Sequence, residues 1–304
     1  MKKYYLIQRA EHIVFPIGAL LTLLIYAVEP GVFSSTGFLL IFGFMIAVLG
    51  VPHGALDPWI AKSLGFQETA RNRILFLLTY LATAALVVSL WIVAPATSLL
   101  VFLMISALHF SGDWKNKKMG YFHWLAGALL LLMPIGFQTE STAQIFQSIS
   151  GAKGYELAYS LAAPEWLISC LIFVLIVGYG IYRKWRVVGE FFVLYFLAHY
   201  TPPLVYFAIY FCLLHSPRHL TEIFRKAGSS AYRSLSIMML VFTLATFSLA
   251  GILGWMWADL STDALVLRLV FIGLAALTVP HMILITIADR REARQRASAD
   301  LPGL

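Results

Sequence analysis

Four histidines stand at the ends of apolar stretches in this chain, and a fifth lies within the last of them. His53 lies in Gly50-Val-Pro-His-Gly-Ala-Leu-Asp57 and His109 in Leu108-His-Phe-Ser-Gly-Asp113. His215 and His219 lie in Leu214-His-Ser-Pro-Arg-His219, and His281 in Val279-Pro-His-Met282. Imidazoles with few carboxylates, no thiolate and an apolar surround suit non-haem iron or copper better than magnesium or calcium. On a helix, His215 and His219 share one face about one turn apart, so both rings can grip one ion. Pro217 between them removes a backbone hydrogen bond and predicts a bend. Asp57 and Asp113 each follow a histidine by four. Where the helix continues, such a carboxylate can accept the second ring N–H and orient the ligand; capping the helix end is the competing role. Arg218 either neutralises one of these carboxylates or belongs to the basic loops. For any one histidine alone, the plain explanation is an interfacial ring at a helix end.

The elements that carry these residues are read from composition. The chain has 304 residues, of which 60% are hydrophobic and 12% charged, and its mean hydropathy is +0.82. Apolar runs of about 17–25 residues recur from end to end, the length that crosses a bilayer as a helix. The fold class is therefore an all-α polytopic membrane bundle, one integral domain over residues 1–304. No polar stretch exceeds about 30 residues, too short for a separate soluble domain. Ten spans are predicted, at about 12–28, 36–56, 73–94, 97–112, 120–137, 166–182, 187–200, 203–219, 235–257 and 264–288. The number falls to eight if the pair around Thr201-Pro202-Pro203 is a broken or re-entrant element. The stretch 138–165 is predicted as the one substantial outer loop. Cys170 and Cys212 fall in apolar runs and are predicted as packing residues.

Lysine and arginine fix the orientation. Twenty of the 22 fall in loops on the N-terminal side, leaving only Lys153 and Arg268 opposite. The positive-inside rule then puts both termini in the cytoplasm of a cell (inner) membrane protein. The net charge of +7 is explained by this placement and calls for no nucleic acid. On this topology His53, His109, His215, His219 and His281 share one depth on four helices. Ionisable groups in membrane spans are costly and face the bundle interior, so rings at one depth read as a metal site. His12 and His123 sit at inner helix starts and His199 on the outer side, and none of the three is expected to be a ligand.

The ordered set Pro52-His53-Gly-Ala-Leu-Asp57, His109-Phe-Ser-Gly-Asp113, His215-Ser-Pro-Arg-His219 and Pro280-His281-Met282 resembles the Brp/Blh family. These are bacterial and archaeal β-carotene 15,15′-dioxygenases that supply retinal to microbial rhodopsins. The resemblance covers about residues 45–285. It implies an iron-dependent oxygenase that splits the central 15,15′ double bond of β-carotene with O2 into two all-trans-retinal molecules. It implies Fe2+ held by His53, His109, His215 and His219, which leaves one or two positions open for O2. His281 joins the catalytic set as a fifth ligand or, the role favoured at this stage, as a residue that holds a bound molecule, Asp57 or Asp113 beside the iron. The substrate partners are β-carotene and O2, with the bilayer as the medium and a microbial rhodopsin as a recipient. An apolar tunnel open to lipid is expected, lined by aromatic residues with Met104, Met119, Met133, Met238, Met239 and Met282 as adaptable fillers. Two alternatives stand beside this reading. A membrane desaturase or hydroxylase with two metals would carry denser histidine boxes, and a proton-coupled transporter would use the histidines as relays.

Overall fold

A computed structural model describes residues 2–115 and 120–299; the side chains of residues 2–12, 53, 256, 293 and 296–299 lie outside the description. Met119 lies outside it as well. Among the described residues all regular structure is helical. In chain order the helices are α1 (Lys2–Val28), α2 (Thr36–Met45), α3 (Asp57–Ser63), α4 (Ala70–Val93), α5 (Pro95–Ser111), α6 (Phe122–Phe137) and α7 (Thr139–Ser150). They continue as α8 (Ala152–Leu161), α9 (Glu165–Ile181), α10 (Trp185–Tyr200), α11 (Pro203–Tyr210), α12 (Ser216–Ala227), α13 (Tyr232–Met256) and α14 (Thr262–Ala299).

Every predicted apolar segment is helical, and the bundle has the composition of a membrane protein. By length and composition alone, the described residues give five to seven candidate spans beside the ten predicted, with Ile13–Val28 a shorter apolar helix. Five helical stretches are long and apolar enough to cross alone: Thr36–Ser63, Ala70–Val93, Pro95–Trp114, Ser229–Trp255 and Thr262–Glu292. Two bent pairs raise this to seven: Phe122–Phe137 with Thr139–Ser150, bent by 103°, and Ala152–Leu161 with Glu165–Ile181, bent by 58°. α10 has 16 residues, too few at 1.5 Å per residue to cross ~30 Å of hydrocarbon alone, whereas α11 runs on through Phe211–His215 into α12, whose polar residues lower the hydropathy of that stretch. The predicted outer loop is instead the helix pair α7–α8. Gly151, with φ of 76°, makes the turn between them, a conformation that glycine adopts without strain.

Large side chains such as Leu78, Phe173 and Leu240 point outward. In water such a surface would be an aggregation hazard; against lipid tails it is matched. Among the five candidate spans the least covered by the rest of the chain is that of α13, whose apolar window buries none of its residues. Helix contacts close where a side chain is missing. A Cβ on Gly127 of α6 would overlap the main-chain oxygen of Ala107 on α5, the small-residue packing that holds membrane helices together. Cys212 is buried and Cys170 exposed, and both are free thiols.

Ion pairs mark one end of the bundle. Lys115 meets Asp289 at 3.2 Å and Lys226 meets Glu292 at 2.7 Å. Arg268 donates from Nε to the main-chain oxygen of Ser148 at 3.0 Å, at the far end of α14.

Two irregular turns shape the centre. Residues Ile46–Gly50 and Phe211–His215 each form one π-helical turn, and Val51–Leu56 a 3₁₀ turn. Single π turns within α-helices recur at functional sites. The two π turns pack against each other. The Ser216 hydroxyl ties them by donating to the main-chain oxygen of Leu49 at 2.6 Å. A Cβ on Gly50 would overlap the ring of Phe211, so only glycine permits this approach.

Candidate metal centre and its cavity

Three stretches of helix bring four imidazoles together: His109 from the last turn of α5, His215 from the π turn leading into α12 with His219 from the first turn of α12 itself, and His281 from α14. The ring centres form a closed circuit. His109 stands 4.8 Å from His215 and 5.2 Å from His281; His219 stands 5.3 Å from His281 and 6.4 Å from His215. Imidazole–metal bonds of about 2.1 Å place the centres of adjacent ligand rings roughly 4.5–5.5 Å apart. His53 occupies the 3₁₀ turn Val51–Leu56, which packs against α12 and α13; its side chain lies outside the described residues. Among the described residues no three donor atoms of His, Cys, Asp or Glu converge as they stand to hold an ion.

Two carboxylates set how the rings face. Nδ1 of His281 lies 2.7 Å from Oδ1 of Asp57, and the Tyr80 hydroxyl donates to Oδ2 at 2.8 Å. Nδ1 of His215 lies 3.1 Å from Oδ2 of Asp113, to which Tyr210 donates at 2.7 Å. An ionised carboxylate only accepts, so each Nδ1 carries the proton and each Nε2 presents its lone pair. The Nε2 atoms of His215, His219 and His281 are buried. A buried set of imidazoles with Nδ1 pinned from behind has the donor chemistry of a borderline transition-metal site.

The carboxylates therefore orient histidines, as the sequence suggested, but across helices. Asp57 holds His281 and Asp113 holds His215. Arg218 does not stay in a solvated loop; it reaches inward beside Asp113. It donates to the main-chain oxygen of Asp113 at 3.0 Å and to Glu190 at 2.7 Å. Glu190 is a buried acid that also accepts from Trp114 and Arg186, each at 2.9 Å. The ring contacts of His199 are with Phe137, Tyr195 and Tyr200, and His123 bonds the main-chain oxygen of Gly120 at 2.8 Å; neither belongs to the circuit. The side chain of His12 lies outside the described residues. Sequence reasoning missed Tyr80 and Tyr210, since nothing in the sequence around a tyrosine says which distant carboxylate it meets.

The circuit opens on an apolar cavity of about 340 Å³. His109 and His281 form part of its wall, and Phe76, Phe102, Phe110, Phe207, Phe211 and Phe242 form much of the rest. Methionines do not contribute among the described residues: Met133 is in the core and Met104 points outward. Aromatic rings, stiffer than methionine, shape the space.

The family model described as "Beta-carotene 15,15'-dioxygenase" matches residues 44–289, a stretch that contains all five histidines. A curated relative from an uncultured marine bacterium (66A03), named beta-carotene 15,15'-dioxygenase, is 33% identical over 263 residues, covering 81% of this chain and 92% of the relative. A second, from Halobacterium salinarum, is named probable beta-carotene 15,15'-dioxygenase Blh; it is 26% identical over 285 residues, covering 80% of this chain and 82% of its own length. No solved structure matches the chain.

Proposed function

Because the chain belongs to the β-carotene 15,15′-dioxygenase family, and so is a carotenoid-cleaving dioxygenase, we propose that it uses iron and O2 to cut β-carotene at its central double bond into two all-trans-retinal molecules. The observation that carries this reading is the imidazole circuit set into the wall of a phenylalanine-lined cavity. The balance is simple: one C=C and one O–O bond break, two C=O bonds form, and no other reactant is consumed.

Iron would be held by His53, His109, His215 and His219. His281 joins them, because its ring completes the circuit and its Nδ1 is held as His215's is. Iron, when bound, would supply the electronic coupling that lets triplet O2 react with a closed-shell polyene. The remaining work belongs to the chain. Asp57 and Asp113 keep Nδ1 protonated, so the rings offer Nε2 without first reorienting. The phenylalanines keep water from the cavity and hold the polyene by contact alone, since a hydrocarbon offers nothing to hydrogen-bond. The chain sits in the cell membrane with both termini cytoplasmic, takes β-carotene from the bilayer beside α13, and supplies retinal to a rhodopsin.

The test is pigment conversion. Cells that make β-carotene, given this chain, should lose their orange colour, and extraction should yield retinal. Unchanged β-carotene with the chain present in the membrane would overturn the reading.

A further inference from the structure

The central cavity does not stand alone. A second cavity, of about 500 Å³, shares Phe76 and Tyr80 with it. A third, of about 300 Å³, shares Val51, Thr246, Leu274 and Leu277. Two separate elements put the three in the same order. Along α14 the third cavity meets residues from Val266 to Leu277, the central one Leu274 to His281, and the second Pro280 to Ile287. Along the stretch from α2 into α3 and beyond, the third meets Leu40 to Val51, the central one Val51 to Pro58, and the second Gly65 and Phe66. From Val266 to Ile287 a helix rises about 30 Å at 1.5 Å per residue. An extended forty-carbon polyene has a similar length. The histidines therefore face the middle compartment of three in a row.

Gly273 stands in the wall of the third cavity. A Cβ built on it meets no atom within 4 Å. Glycine here answers no close approach of protein, and it weakens a helix relative to any ordinary residue. What the missing side chain leaves is room in the cavity.

Resting on the function proposed above, we propose that the two outer cavities are end-group subsites for the two unsubstituted hydrocarbon rings of a symmetric carotenoid, and that Gly273 is a specificity-determining residue that keeps one of them deep enough. With one ring in each arm, the bond presented to the histidines is the central one. The position of cleavage is then set by how far the chain can enter the arm beside Gly273. A truncated carotenoid, whose short half lacks a ring, needs only one deep arm and can seat its ring in the subsite beyond Phe76 and Tyr80.

The test compares wild type with Gly273→Leu and Gly273→Phe on two probes, β-carotene and a β-apocarotenal truncated on one side of the central bond, with products separated by length. Both variants replace glycine in mid-helix at a position where the added Cβ meets no atom within 4 Å, so the helix is favoured. On β-carotene, turnover should fall by at least about ten-fold, the low end for a pocket misfit of one methylene, and the residual product should shift from one aldehyde to two of unequal length. The apocarotenal should be cut within about two-fold of the wild-type rate, since the mismatch is confined to one arm. Central cleavage of β-carotene by Gly273→Phe at the wild-type rate would overturn the proposal, and so would equal loss on both probes. If wild type itself leaves β-carotene intact, the function proposed above fails instead, so the two failures are distinguishable.

Discussion

His215→Ala should reduce carotenoid cleavage by more than about 100-fold, since even a partner behind a metal ligand is worth ~10–100-fold. His215 is the ring with the fewest freedoms. It is 2% exposed, its Nδ1 is held by Asp113 at 3.1 Å, and its plane lies 15° from that of Phe211 beside it. Removing it opens the circuit between His109 and His219. The fold should survive, because Asp113 still accepts from Tyr210 and the tie from Ser216 to Leu49 is untouched. Helical content equal to wild type, with retinal formation lost, is the expected pair of results. Turnover within two-fold of wild type would remove His215 from the site.

Asp57→Ala carries the second large effect, and it separates holding a ring from merely filling space. Asp57 is 1% exposed and accepts from both His281 and Tyr80. Its loss takes the carboxylate acceptor from two buried donors, an unsatisfied buried donor costing ~1–3 kcal/mol, and frees the His281 ring to turn. Iron retention and turnover number should each fall by ~10–100-fold, with the KM for β-carotene little changed, because Asp57 works through the ring. Asp57→Asn keeps an acceptor oxygen and should recover part of both. Tyr80→Phe removes one hydrogen bond, worth ~0.5–1.5 kcal/mol, and keeps the ring in the cavity wall, so its activity should stay near wild type. If Asp57→Ala raises KM and leaves the turnover number intact, the residue shapes the cavity and does not position His281.

Much of this centre is legible in the sequence, and what is not has identifiable causes. Membrane helices announce themselves by apolar length, so all ten apolar segments are found, and the shared depth of the histidines follows from counting along them. The pairing of carboxylate to histidine is not legible, because spacing of four places two side chains on one face only in an α-helix. Here His53 and Asp57 are joined through the 3₁₀ turn Val51–Leu56. At three residues per turn, the fourth residue on lies about 120° round, so Asp57 is turned towards α14 and His281. A second 3₁₀ turn, Gly112–Trp114, likewise re-aims Asp113 towards His215. The π turns at Ile46–Gly50 and Phe211–His215 have no residue signature, yet they bring Gly50 and Phe211 into contact. The helices α7 and α8 escaped because neither has a long apolar run; each buries only one face, with Phe146 and Ala158 inward. Gly273 shows its role only once the space around it is seen.

The most direct measurement is the iron content of the purified chain, taken on the same sample as its turnover. The account predicts one iron per chain, cleavage that disappears when a chelator removes the metal and returns with Fe2+, and no iron in His215→Ala. Undiminished cleavage by a chain stripped of iron, or two irons per chain, would contradict it.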